Sequence, residues 1–459
     1  MLFSSIEFLF YFLPVTVLCY FCVPKRARNA ILLFASLFFY FWGEPRYGFL
    51  MVFAILAGYL FGRLIENAST DQGRKLWKNL SVFVSLLNLG VFKYYDFFAQ
   101  GFGAVLGIET TLLHLALPLG ISFYTFQMIS YTVDVYRGET PAQHNLIDFA
   151  MYIALFPQLV AGPIVRYQTI QTQLRERMHS FEQAAAGGSR FVFGLAKKVL
   201  LANALGELIT KISGLPVSSV AGTWIMAVSF TLQIYYDFSG YSDMAIGLGQ
   251  LFGFHFPENF RYPYLAKNIT EFWHRWHMSL STWFRDYVYI PLGGNRVVRW
   301  KWIRNVLIAW MCTGFWHGAS YNFIMWGLYF ALFLLLEKAI PRLSSHLYTL
   351  LVIVVGFVIF DHTSISEGLL TLRTMAGLSG VTGSTAQTWY YLKSYAGLLL
   401  LSVIGATPLI KNTGSWIMDH CKWKIIPQVL QIVALLSLLI LVTAYLVDGS
   451  FNPFLYFRF

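Results

Sequence analysis

Charge is scarce in this chain. Of its 459 residues only 12% are Asp, Glu, Lys or Arg, while 57% are hydrophobic. A soluble domain carries about 25% charged residues, so the composition excludes an ordinary soluble enzyme and indicates a polytopic membrane protein built from helices. Cysteine is nearly absent as well. Cys19, Cys22, Cys312 and Cys421 form no metal-spaced set, and no His, Glu or Cys spacing supplies one, so no metal is expected. Cys19 and Cys22 read as CxxC but fall inside an apolar run, where buried thiols are expected. Two signatures are missing altogether: a glycine-rich phosphate loop and the GxSxG of a serine nucleophile. The N-terminus has neither a basic leader nor a small-residue cleavage site. Phe8 to Val23 is therefore expected to remain as a first helix, kinked at Pro14.

What charge there is carries one sign. Lys and Arg number 33 against 22 acidic residues. The basic residues sit in short loops between apolar runs, so nucleic-acid binding is set aside in favour of positive-inside topology and contact with membrane lipids. Lys25, Arg26 and Arg28, then Arg74, Lys75 and Lys78, mark cytoplasmic loops and put the N-terminus outside. Aromatic residues make up 18% of the chain, as expected of many short or interfacial segments. The pattern predicts about 10 to 12 membrane segments. Leu112 to Val135 carries Ser122, Tyr124, Thr125, Gln127, Ser130, Tyr131 and Asp134, polar groups that must face protein or water. Asp148 to Ile164 is broken by Pro157, Gly162 and Pro163 and reads as re-entrant. Asp237 and Asp243, between two apolar runs, need partners, and arginines of the following segment are the nearest candidates. The tail 452–459 reads as an aromatic interface anchor.

One segment stands out, Glu271 to Ser320, with His274, His277 and His317 among basic and aromatic residues. Glu271 to Arg304 has too many charges to cross a bilayer and is expected along the cytoplasmic face, turning at Pro291-Leu292-Gly293-Gly294. Val306 to Ser320 then carries His317 into the membrane, where an ionisable group is costly and often functional. A neutral imidazole there can act as a base on a hydroxyl; a structural histidine in a helix break is the alternative. His274 and His277 share a face if the segment is helical. The cations Arg275, Arg285 and Arg296 either set topology or hold the phosphates of a carrier such as coenzyme A.

Blocks in order resemble a known family. They are LPLGISFYTFQMISYTVDVYRG at Leu117 to Gly138, FPQLVAGPIVRY at Phe156 to Tyr167, YYDFSGYSDMAIGLGQLFGF at Tyr235 to Phe254, FWHRWHMSLSTWFRDYVYIPLGGNR, and FWHGASYNFIMWGLYF, with a similar closing NPFLYFRF. The chain resembles the membrane-bound O-acyltransferases, in the bacterial branch that acetylates alginate and peptidoglycan. The resemblance implies an all-α fold in which a ring of tilted transmembrane and re-entrant helices surrounds a central tunnel. It also implies a single membrane domain over 1–459, with core motifs within 117–330. His317 matches the family's hallmark histidine, and His277 the polar position that accompanies it. The implied activity is transfer of an acetyl group from cytoplasmic acetyl-CoA to a periplasmic partner of the SGNH-hydrolase type, which esterifies a polysaccharide. The implied location is the inner membrane. Two other readings stay open: D-alanyl transfer from a carrier protein to teichoic acid, and a non-catalytic transporter of an acyl donor.

Overall fold

A computed structural model of the chain describes residues 1–159, 162–421, 425–448 and 455. Among these the chain is helical, with one isolated bridge between Ser219 and Thr382 and no named strand. In hydrocarbon every backbone N–H and C=O must be satisfied within the chain, which favours helices. The chain folds into two compact units, Met1–Phe191 with Met244–Pro257, and Val192–Asp243 with Glu258–Phe459.

Among the described residues three helices are long and apolar enough to cross a bilayer: Gly48–Asn67, Tyr321–Ala339 and Ile425–Val447. Two further pairs qualify together but are bent, Asp71–Lys93 with Tyr95–Leu106 by 71° and Ala396–Gly405 with Leu409–His420 by 67°. The count of full-length apolar helices is therefore lower than the number of segments expected from hydropathy. The difference lies in short apolar helices, such as His346–Asp361, and in helices whose charged ends break the apolar window, such as Arg299–His317. The outward faces are strongly apolar; Phe34, Phe49, Leu400 and Ile440 are all exposed. Cys19 and Cys22 share that exposure, which corrects the expectation of buried thiols. In a chain whose solvent is lipid, an apolar run no longer means an interior position.

In the first unit the helix Ile121–Arg137 begins at Gly120, whose φ of +71° ends the preceding non-helical stretch. Each of the polar side chains expected to avoid lipid there is buried. At Pro14 a π-helical turn, Phe8–Phe12, gives way to the α-helix Leu13–Cys22. Two basic regions distant in sequence meet around Tyr20. Arg177 donates to the Tyr20 hydroxyl at 3.2 Å and to Asn29 at 2.6 Å, and Arg28 lies 3.3 Å from His179. This places the Lys25–Arg28 loop and the Arg175–Arg177 region together.

In the second unit, the part of the helix Val220–Leu251 up to Asp243 carries Asp237 and Asp243. Their partners are Lys198 and Lys197, each at 2.6 Å, and not the arginines expected from the later segment. The reason is a close helix approach. A Cβ on Gly240 would meet the Gly194 carbonyl oxygen and the Lys198 backbone nitrogen, so the two helices touch there and bring both lysines within reach. The tail 452–459 lies outside the described residues except for Leu455, which is buried and donates its N–H to Asp237 at 2.9 Å. Removing one member of a buried ion pair leaves an uncompensated charge costing about 3–5 kcal/mol. Asp237→Ala, at the pair with only 3% exposure on either side, should therefore lower thermal stability in detergent far more than Asp243→Ala, whose pair is 29% and 20% exposed.

Candidate active site

The site grows from a helical hairpin, Arg299–His317 and Tyr321–Ala339. A Cβ on Gly314 would overlap the Phe323 carbonyl oxygen, and one on Gly327 would overlap that of Trp310. The two backbones are therefore in contact, as small residues permit. The hairpin turns at once: His317 is the last helical residue, Gly318 is extended, and the Ser320 hydroxyl accepts the Phe323 N–H to start the return helix. The basic layer and the membrane helix expected to meet near Arg304 are one continuous helix from Arg299. The turn before it holds as expected, with Gly293 and Gly294 at positive φ. Buried Asn305 fixes it by donating to the carbonyls of Leu292 and Gly294 at 3.1 Å each.

His274 and His277 do not share a helix face. His274 caps the short helix Ile269–Trp273, and His277 starts the next, Met278–Phe284, from a left-handed φ of +43°. Such a φ is rare in a residue with a side chain, and Asn259 holds it. Met278 N–H donates to the Asn259 carbonyl at 3.0 Å. The Asn259 side-chain oxygen accepts the Ser279 N–H at 3.2 Å, the Ser279 hydroxyl at 2.9 Å and Nδ1 of His277 at 3.2 Å. A backbone N–H can only donate, so that atom of Asn259 is the oxygen, and Nδ1 of His277 must carry its hydrogen. Nε2 is left with a bare lone pair. It is buried and has no donor among the described residues. Burial pushes the pKa of this imidazole down to about 3, so the ring is neutral at physiological pH.

His277 and His317 line one small cavity of about 30 Å³, together with Asp237, Phe238, Trp326 and Leu455. His317 is packed among aromatic rings, with Trp316, Trp326 and Phe360 at centroid distances of 4.8, 5.0 and 5.1 Å. His274 lines a different, far larger cavity of about 880 Å³ with Arg285, Trp273, Trp310, Thr313 and Lys338. Thr313 stands one helical turn before His317, on the same face. A wall of tryptophans connects the two spaces: Trp273 and Trp310 line the large one, Trp326 lines the small one, and their rings lie 5.6 and 6.4 Å from that of Trp326.

The three arginines expected to hold phosphates part company. Arg285 lines the large cavity, in a two-pronged pair with Asp286 at 2.6 and 3.1 Å. Arg275 pairs with Glu271 at 2.8 Å, and Arg296 is exposed beside the glycine turn. Lys267 N–H, then Arg275, holds the Glu271 carboxyl below its usual range. Among the described residues no three His, Cys, Asp or Glu side chains gather in metal-binding geometry. Sequence reasoning missed Asn259 and Trp326. Asn259 follows a Pro-Glu step with no spacing signal to His277, and Trp326 is one of 14 tryptophans.

The model of the membrane-bound O-acyltransferase family matches residues 37–359. The chain belongs to that family and is an acyltransferase. Among its relatives is the probable alginate O-acetylase AlgI of Pseudomonas aeruginosa, 44% identical over 426 residues that cover 87% of this chain and 82% of that protein. The protein of the same name from Azotobacter vinelandii is 38% identical over an alignment covering all of both chains. The peptidoglycan O-acetyltransferase of Helicobacter pylori is 34% identical, over 83% of this chain and 81% of that one.

If Asn259 fixes the His277 tautomer, Asn259→Leu should lower turnover by roughly 10- to 100-fold, as for other groups that orient a functional histidine. The ring ¹⁵N signals of His277, identified by their loss in His277→Ala, should then show mixed tautomers in place of one. Unchanged signals would show that Asn259 only packs.

Proposed function

We propose that this protein is a membrane O-acetyltransferase that takes acetyl groups from acetyl-CoA at the cytoplasmic face of the inner membrane. It delivers them toward a cell-surface polysaccharide of the alginate kind, through a periplasmic partner of the SGNH-hydrolase type. The observation that carries this reading is the small cavity shared by His277 and His317 in a chain similar end to end to alginate O-acetylases. The large cavity suits the donor. Its volume and its mixture of indole rings and polar side chains with Arg285 and Lys338 match a molecule with a phosphorylated end and a long amide-containing arm. Arg285 is the phosphate contact favoured among the three arginines, whereas Arg275 and Arg296 serve the rim or topology. The donor's thioester then approaches the tryptophan wall and the histidines behind it. His317 acts as general base on the incoming hydroxyl, and His277 either orients that hydroxyl or steadies the oxyanion.

Three measurements test this. Inverted membrane vesicles given radiolabelled acetyl-CoA should form acetyl ester on the lumenal side, and D-alanine loaded on a carrier protein should not substitute. General base catalysis contributes about 10²- to 10⁴-fold, so His317→Ala should lose at least about 100-fold in transfer while folding and inserting normally. Wild-type transfer by a well-folded His317→Ala protein would remove the mechanism. His277→Ala should reduce turnover more than it changes the KM for acetyl-CoA.

A further inference from the structure

The cavity that holds both histidines contains a second buried polar atom without a counterpart. Trp326 is 1% exposed, and its indole Nε1–H has no acceptor among the described residues. Indole nitrogen is a donor only. Across the same cavity His277 presents the opposite defect, an Nε2 that can only accept, because Asn259 takes the hydrogen of Nδ1. Buried donors and acceptors are almost always paired in folded proteins, so two complementary exceptions lining one cavity call for a ligand that satisfies both. Of the other polar groups of the lining, Asp237 is ion-paired with Lys198 through Oδ1 and accepts the Leu455 N–H through Oδ2, and the half-buried His317 makes no hydrogen bond to Nε2 of His277 or Nε1 of Trp326. An ester-forming pair of reactants has the matching ends. The thioester carbonyl oxygen accepts, increasingly as it gains charge, and the attacking hydroxyl donates.

We propose that Trp326 is a catalytic residue of the transfer, its Nε1–H bonding the thioester carbonyl oxygen as the tetrahedral intermediate forms; this rests on the acetyl-transfer reading above. A neutral His277 with a bare Nε2 cannot steady an oxyanion, so of its two possible roles it keeps the one toward the hydroxyl's proton. In the step itself the hydroxyl oxygen bonds to the acetyl carbon and the carbon–sulfur bond breaks. The hydroxyl proton passes through the histidine pair to the departing thiolate. Trp326 gives no proton away; it stabilises charge on oxygen and releases it when the carbonyl reforms. Its position in the tryptophan wall, against Trp273 and Trp310 of the large cavity, puts the Trp326 ring at the border between donor space and histidine space.

The test is Trp326→Phe in the full-length protein, assayed in vesicles with acetyl-CoA. The substitution keeps an aromatic ring and removes the N–H. Loss of one oxyanion donor typically costs about 10²- to 10³-fold in kcat, so kcat should fall by at least about tenfold for an indole donor, with KM for acetyl-CoA within about twofold. Trp224→Phe serves as the packing control, because it also removes an indole N–H, one that donates to the Met375 carbonyl at 2.9 Å, while Trp224 lines neither cavity. Infrared difference spectra of wild type with ¹³C-carbonyl acetyl-CoA should show the carbonyl stretch lowered relative to the free donor, and Trp326→Phe should return it upward. Equal kcat losses in both tryptophan variants, an unchanged kcat in Trp326→Phe, or no lowered stretch in the wild-type protein would overturn the assignment. Failure of His317→Ala to impair transfer would instead overturn the acetyl-transfer reading, so the two failures are distinguishable.

Discussion

The carboxamide of Asn259 is the contact on which the site depends. One oxygen accepts three hydrogens, two from Ser279 and one from His277. The first two fix the orientation of the amide, and the third then fixes the protonation state of the imidazole. The same residue's backbone carbonyl, by accepting the Met278 N–H, helps hold His277 at a backbone angle that ordinarily costs about 1–3 kcal/mol. Without that arrangement the ring has no reason to face the cavity rather than follow the helix that His274 ends. The chemistry of the imidazole is thus set by a neutral neighbour. A carboxylate in the place of Asn259 would draw a second proton onto the ring and cancel the acceptor.

The hairpin supplies the other half. His317 can sit beside that cavity because Gly314 and Gly327 let two helices approach to backbone contact, and because Gly318 and Ser320 turn the chain at once. Aromatic rings surround both histidines, and His277 is fully buried, in a low dielectric where a hydrogen bond to a developing charge is stronger than in water. The large cavity is different in kind. Arg285 and Lys338 share its wall with indole rings and polar side chains, which suits a phosphorylated molecule with a long amide-containing arm better than it suits lipid alone.

Much of this is legible in the sequence. Low charge and long apolar runs define the membrane class, and the density of polar residues from Ser122 to Asp134 correctly marks a helix that avoids lipid. His277 and His317 stand out because ionisable groups in such surroundings are costly. Two inferences fail for a shared reason. Apolar neighbours suggest an interior position for Cys19 and Cys22, and a separation of three residues suggests that His274 lies beside His277. Both expectations assume a regular helix with water outside. Lipid makes the outside apolar, and the left-handed backbone of His277 itself starts a new helix after the one that His274 ends. The partners of Asp237 and Asp243 are misplaced when sequence distance stands in for spatial distance; the glycine contact that brings Lys197 and Lys198 near carries no charge to notice.

Asn259 and Trp326 are invisible for a further reason. Neither residue type is unusual, and neither stands at a spacing that signals chemistry. What distinguishes them is the hydrogen bond that Asn259 takes and the one that Trp326 lacks, quantities that exist only after folding. An acyl transfer needs an acceptor for a proton and a donor for a charged oxygen on opposite sides of one carbon atom. On the proposed reading, that carbon lies in the cavity where both are left unmatched. The two histidines alone would define a base; the addition of a donor that cannot itself lose a proton makes the cavity complementary to the transition state as well as to the hydroxyl.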